Sequence, residues 1–579
     1  MGISKVFKGI INSIYRAINR FPITIALSTM IAALLIAMIE IESRNLGVNT
    51  NNLKKLAMTL ALGMAISLFI KLWTEREQNK SREIFYYALD LIFMVAYYFT
   101  IKDFKMVTMS RFFALNLIFY LIFLFIPYFP KRKNFEMYVI KVLSSFFTTV
   151  LYSLVLFFGI SAILFTIDRL LEVRIKEQMY LYSFILVVFV FAVTYFLANI
   201  PQYFEEFTKE NFTKLLKILI LYIVMPLLSV YTAILYIYFV KIILTRTFPQ
   251  GIVSHLVLWY SLIVAAVLFF ITPIHEDNKW AKIFLMITPK AILPILVMMF
   301  ISIGIRIQQY GVTENRYYVV IAGIWVFLIM LYFAFTKSLL NIILPVSLSI
   351  FILISNFGPL SSFSISKFSQ NKRLENILIR NELLKDGKIV PKSYVNHKDK
   401  ENISSILSYF ERYHSLDDVK YLPKGFQISD MKKVFGFEYT PKVFQPVMYF
   451  NFQRKADERS LNISGYDYLF DMRYMYENTE AKGIYAKYDY NSSVLKIFNG
   501  NEEIYSKDLD EFVKKLVIKY KDSGQELIML GTEDLTFTDV TPKVKVKIIF
   551  NSITVQRDFI EKENSEVTGK GYEFYVLIK

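Results

Sequence analysis

Ionisable side chains are rare inside the long apolar runs of this 579-residue chain, and the few present are the first candidates for chemistry. Asp90 stands in the middle of one run, in Tyr87-Ala88-Leu89-Asp90-Leu91. Lys290 follows Pro289 in another run, which is interrupted again at Pro294. A charge at a bilayer centre costs roughly 2.5–3.5 kcal/mol even on a lenient scale, so these residues point to a proton, ion or headgroup site. The competing reading is a buried pair or a snorkelling side chain, which is how Lys141, near the start of its run, is read. Breaks at proline can also open backbone groups to a cavity.

Two loops between runs carry further candidates. In Arg306-x-x-x-Tyr310-Gly311-Val312-Thr313-Glu314-Asn315-Arg316-Tyr317, two arginines, a carboxylate, an amide and tyrosines gather at one end of a helix pair. Capping explains part of this. Gly311 suits a left-handed helix end, Thr313 can cap the next helix, and Glu314 lies in its first turn, where the dipole favours an anion. The same set could bind an anionic headgroup or dock the tail. In Pro249-Gln250-Gly251-Ile252-Val253-Ser254, proline and glycine stop one helix and Ser254 is expected to cap the next. Glu40, Glu42 and Asp103, in other loops, are the acid or base candidates for a transferase.

Familiar catalytic signatures are missing. There is no Walker-type glycine loop and no Gly-x-Ser-x-Gly elbow, and His255, His275, His397 and His414 lack metal-ligand spacing. With no cysteine, disulfides, thiolate metal sites and thiol nucleophiles are excluded. No catalytic set, metal site or cofactor is picked out. The net charge of +17 lies almost wholly before residue 361, among the apolar runs, which points to anionic membrane lipids and away from nucleic acid.

The elements that must position these residues are helices of bilayer length. The chain is 55% hydrophobic, and the apolar residues fall in runs of about 20, enough to cross a roughly 30 Å hydrocarbon core. Spans are read at 21–40, 55–73, 84–101, 112–129, 137–165, 179–201, 215–240, 253–273, 283–305, 317–336 and 338–355. The join at Thr336-Lys337, between two spans, has almost no loop. Residues 1–20, with Lys5, Lys8, Arg16 and Arg20 opposite Ile10, Ile11, Ile14 and Ile18, read as an amphipathic interfacial helix and not as a cleavable signal. A basic amino terminus favours a cytoplasmic start, and an odd number of crossings then leaves the tail outside the cytoplasm.

Past Asn356 the chain turns polar. Residues 356–445 read as a helical connector. One helix runs from Ser366 to Leu384 and ends at the Lys385-Asp386-Gly387 turn; another covers about 401–413, through Ile403, Ile406, Leu407 and Phe410. Residues 446–579 read as a soluble α+β domain. Its strands are expected at Met448–Phe452, Leu461–Phe470, Ile484–Tyr490, Val494–Phe498, 543–550 and 571–578, with a helix at 508–520. The expected fold is therefore a polytopic α-helical membrane protein of about 11 transmembrane helices (21–355) with a carboxy-terminal soluble α+β domain.

Several of these motifs together resemble a bacterial multi-pass membrane family catalogued as domain of unknown function 4153. They are Pro249-Gln250-Gly251 with Ser254, Tyr310 to Tyr317 with Trp325, Gly358-Pro359 with Ser364-Ile365-Ser366, and Ser369-Gln370 with Arg373-Leu374. Leu383 to Val390 and Ser464-Gly465-Tyr466-Asp467-Tyr468 complete the set. The resemblance runs over most of the chain from about residue 240, and the first five spans are similar only in hydrophobicity. It implies a bacterial cytoplasmic-membrane protein and brings no functional residue with it. Three function classes follow: an envelope binding or assembly scaffold with a protein partner, favoured here; a carrier or flippase for a lipid or small solute, working through Asp90 and Lys290; and a polytopic transferase.

Overall fold

The computed structural model describes residues 13–45, 47–77, 80–129, 134–203, 205–208, 212–245, 252–392, 394–440, 449–458, 460–473, 479–481, 483–490, 492–520, 527–556 and 570–579. The chain divides into two compact units, Met1–Pro441 and Lys442–Lys579. Residues 13–20 are helical, while the rest of the expected amphipathic helix lies outside the described residues.

The first unit is built on apolar helices: α1 (Pro22–Ser43), α2 (Asn51–Glu77), α3 (Lys80–Thr100), α4 (Met106–Phe125), α5 (Phe135–Leu170), α6 (Glu177–Ala198), α7 (Lys214–Thr245), α8 (Ile252–Ile271), α9 (Lys279–Tyr310), α10 (Glu314–Phe335) and α11 (Ile343–Asn356). Among the described residues ten helical segments are long and apolar enough to cross a membrane, and α11, with 14 residues, is shorter. The protein is a polytopic helical membrane protein. The span expected over 338–355 is helical only from Ile343, because Thr336–Asn341 forms a non-helical turn after α10.

Side-chain bonds show that successive helices alternate in direction. At the first face, the Arg20 guanidinium pairs with both Glu75 oxygens at 2.8 Å and donates to the carbonyls of Ile200 (2.7 Å) and Pro201 (3.0 Å). Asn341 donates to Glu136 there at 2.6 Å, and Asn134 to the Phe207 carbonyl at 2.6 Å. At the second face Tyr182 donates to Glu40, and Arg111 to the Asn356 carbonyl at 3.4 Å. Glu40 also pairs with Arg44, while Asp103 accepts from the Lys105 N–H and Thr108.

Two helices are widened by π turns, Val187–Ala192 in α6 and Leu219–Val224 in α7. In the first, Ser28 of α1 donates to the Phe189 carbonyl. Helix α9, by contrast, runs unbroken through Pro289 and Pro294, which corrects the expected proline breaks. Tyr236 of α7 donates to the Ala291 carbonyl of α9 at 2.7 Å. Ser254 lies within α8 as a buried residue against Ser302 and does not cap it; Pro249-Gln250-Gly251 lies outside the described residues.

Beyond α11 the same unit continues into α12 (Ser362–Arg380), a hairpin of β1 (Leu384–Lys385) and β2 (Lys388–Ile389), α13 (His397–Tyr413) and α14 (Met431–Phe435). These share a small core of Leu374, Leu378, Ile403, Leu407, Phe410 and Phe435. Helix α12 starts earlier and stops earlier than expected. The Asp386-Gly387 pair, both at positive φ, turns the β1–β2 hairpin instead of ending the helix.

The second unit is an α+β module. A six-stranded sheet holds β4 (Tyr468–Asp471), β12 (Lys570–Ile578), β11 (Lys545–Gln556), β3 (Tyr449–Arg454) and β9 (Leu527–Leu530) in that order, with β10 (Thr536–Val540) also on β11. All its pairings are antiparallel except β3–β9. A meander of β5 (Thr479–Ala481), β6 (Ile484–Asp489), β7 (Val494–Asn499) and β8 (Glu502–Asp508) follows, then α15 (Asp510–Tyr520). Alternation drives the sheet: Val546, Ile548 and Phe550 of β11 and Phe574, Val576 and Ile578 of β12 point into one core. The strand expected over Leu461–Phe470 is confined to Tyr468–Asp471, since Gly465 at positive φ forms a turn before it.

Helices α2 and α3 pack closely at Gly63, where an added Cβ would lie 2.3 Å from the Met94 sulfur. Overpacking of this kind costs about 1–3 kcal/mol. Gly63→Leu is therefore expected to lower the thermal midpoint of detergent-purified protein, with Met94→Ala in the same chain restoring part of the loss. Gly159→Ala, inside α5 where a Cβ meets nothing within 4 Å, is the control and does not lower the midpoint.

Candidate functional site

The last carbonyls of a helix and the first N–H groups of the next need partners that lipid does not provide. At the second face α9 ends at Tyr310 and α10 begins at Glu314, joined by Gly311-Val312-Thr313. Helix α12 lies against this joint. The buried Gln370 amide (3% exposed) donates to the carbonyls of Tyr310 at 3.1 Å and Val312 at 2.9 Å, and Ser369 Oγ accepts from the Val312 N–H at 2.9 Å. Arg316 donates to the Gly311 carbonyl at 2.8 Å, and both Arg316 and Arg373 reach the Tyr310 carbonyl at 3.4 Å. Cationic donors at a helix carboxy terminus complement its dipole. Gly311 has φ +71°, and a Cβ there would fall 2.8 Å from the Gln370 nitrogen, so the turn and the docking both require glycine.

A second attachment lies one turn further on. Glu314, 2% exposed, accepts from the Tyr409 hydroxyl (2.7 and 2.8 Å to its two oxygens) and lies 2.7 Å from His414 Nε2. A buried carboxyl group needs such donors, and the first turn of α10 adds its own N–H groups. Burial, and after it the neighbouring Glu314 charge, push the Tyr409 phenol well above its ordinary value, so the phenol keeps its proton and donates it. Thr313 occupies the cap position, but its side chain makes no capping bond. Tyr317 donates to the Leu360 carbonyl and Tyr318 to Asn356 at 2.8 Å, which ties the end of α11 to the same place.

Beside this clasp is a cleft of about 660 Å³, walled by Gln308 and Gln309 of α9, by Lys372, Arg373 and Asn376 of α12, and by Asn402 of α13. No carboxylate lines it. Arg373 donates to Asn402 at 2.7 Å, and burial together with the Arg316 charge holds its guanidinium below its ordinary value. Among the described residues no carboxylate pairs with Arg306, Arg316 or Arg373. Chemically, the arrangement can hold the connector against the membrane body and receive an oxyanion.

Of the residues singled out from sequence, Arg306, Tyr310, Glu314 and Arg316 belong to this neighbourhood. Asn315 is exposed on α10. Asp90 is buried between α2, α3 and α4, whereas Lys290 is exposed on α9 beside Met286 and Ile287, so no internal site joins the two. Tyr409 and His414 gave no sequence signal of their own: a tyrosine and a histidine five apart become partners only when Glu314 arrives from 95 and 100 residues away. Gln370 and Arg373 did have a signal, because they stand in one of the motifs quoted above. No group of three or more metal-ligating side chains occurs among the described residues.

No solved structure matches the chain. An uncharacterised protein of Pasteurella multocida (strain Pm70) is 23% identical over 229 residues, 40% of this chain and 39% of that protein. The chain thus spans about two-fifths of the length of the curated relative it matches. A family match starts at residue 22, so the early spans share more than hydrophobicity, and it stops at 388, short of Ser464–Tyr468. Covering residues 22–388, with the membrane helices, the clasp and α12, it shows that the chain belongs to the family described as Domain of unknown function (DUF4153).

Proposed function

We propose that this protein is a membrane-embedded scaffold that carries its carboxy-terminal module on a connector clamped to the bundle, with an anionic lipid headgroup in the basic cleft. The observation that carries the reading is the clasp. A scaffold must transmit position, and here the connector supplies buried partners for the α9–α10 joint where a flexible tether would leave them to water. The cleft supports the lipid part: Arg373, with no carboxylate partner among the described residues, lies beside a helix end and suits the phosphate of an acidic phospholipid, while Lys372 and Arg380 in the same wall pair with Glu375 and Asp399. The protein partner is an envelope component engaged by the second unit. The setting we propose is a bacterial cytoplasmic membrane, with the amino terminus cytoplasmic and residues after α11 outside the cytoplasm.

Three outcomes test this. Leaving buried hydrogen-bonding groups unpaired costs about 1–3 kcal/mol, so Gln370→Ala or Tyr409→Phe is expected to speed tryptic cleavage within residues 356–441 at least about fivefold while the bundle stays monodisperse. Unchanged cleavage would mean the clasp does not hold the connector. For the headgroup, Lys372→Gln with Arg373→Gln is expected to weaken retention of phosphatidylglycerol in native mass spectrometry about tenfold, or about 1.4 kcal/mol. Equal retention of phosphatidylethanolamine by the unaltered protein would remove the anionic lipid from the proposal. For orientation, a phosphatase that is active only outside the cytoplasm, fused after Lys579, is expected to be active.

A further inference from the structure

Asp90 is 5% exposed, yet one of its carboxyl oxygens has no hydrogen-bond partner, and no cation pairs with it among the described residues. The charged side chains nearest its helix are already engaged: Lys71 pairs with Glu83 at 2.7 Å and Glu75 with Arg20 at 2.8 Å. The carboxyl group lines a pocket of about 340 Å³ between α2, α3 and α4, walled otherwise by hydrocarbon and rings: Phe69, Trp73, Tyr86, Phe93 and Phe119. The rings form a near-continuous surface, with Phe69–Trp73 centroids 6.2 Å apart, Phe69–Phe119 6.4 Å and Phe93–Phe119 6.5 Å. Helix α3 sits at the edge of the bundle, with Phe85, Leu91, Ile92, Val95 and Phe99 exposed. The pocket therefore belongs to the hydrocarbon-facing side of the unit.

From this geometry we infer that the Asp90 pocket binds a lipophilic organic cation arriving through the hydrocarbon phase. Aromatic faces attract a positive charge by about 0.5–2 kcal/mol each, more where water is excluded. The carboxyl group supplies the counter-charge that the protein does not neutralise itself. A volume of this order suits a small ligand with few polar contacts. An anion would meet the Asp90 carboxyl group and the negative faces of the rings, with no cation in the wall to hold it; a purely apolar guest would leave the carboxyl oxygen unpartnered. The pocket lies in other helices than the clasp, so the inference stands apart from the scaffold reading.

The test is equilibrium binding of tritiated tetraphenylphosphonium to the full-length protein in nanodiscs, with empty nanodiscs subtracted. Saturable binding is expected, weakened at least about tenfold by Asp90→Asn and restored in part by Asp90→Glu. Trp73→Leu with Tyr86→Leu removes two rings but keeps the carboxyl group; it is expected to weaken binding at least about threefold and serves where Asp90→Asn does not fold. Absence of saturable binding, or binding that neither the carboxyl nor the ring substitutions reduce, overturns the inference and leaves Asp90 a structural residue.

Discussion

Carbonyls at the end of a membrane helix must find donors, and the pairing of Tyr310, Gly311 and Val312 with Gln370, Arg316 and Arg373 is the constraint around which this face is arranged. It fixes glycine at 311 and presses α12 onto the joint. It also concentrates guanidinium groups that no carboxylate among the described residues pairs with, so a structural solution creates an electrostatic surplus. The bond of Glu314 to Tyr409 and His414 then pins the second connector helix, and the membrane body and connector become one compact unit.

The second unit meets a similar problem with a different solution. Asp510, at the first turn of α15, accepts from Tyr572 at 2.7 Å and pairs with Lys570 at 2.8 Å, both on β12. A carboxylate at a helix start is again held by a tyrosine and a second polar side chain from a distant element, here a lysine, with burial and then the aspartate raising the phenol above its ordinary value. Around it Phe512 stacks on Phe550 with centroids 5.2 Å apart, which seats the helix on the sheet.

Much of the architecture was legible because hydrophobic length is a strong signal: bilayer-length runs gave the membrane helices, and alternation gave β6, β7, β11 and β12. The exceptions have local causes. Proline suggests a break in α9, but the helix keeps its course through both Pro289 and Pro294. The turn at Asp386-Gly387 was read as a helix stop, although α12 had already ended at Arg380. At the clasp the arginines, Tyr310 and Glu314 stood out because polar residues gather there over a short stretch. Gln370 and Arg373 stood in a motif that did not say what they touch, and Tyr409 and His414 had no signal at all, since only the fold brings them to Glu314.

Helix α11 carries a geometrical consequence. Fourteen residues rise about 21 Å, whereas the hydrocarbon slab is near 30 Å, and Ile350, Leu353 and Ile354 lie exposed on its outer side. Lipid meeting that side must shorten its acyl chains or splay to match it. A slab of that thickness is mismatched to this flank of the bundle, and a thinner membrane would meet it with less elastic strain.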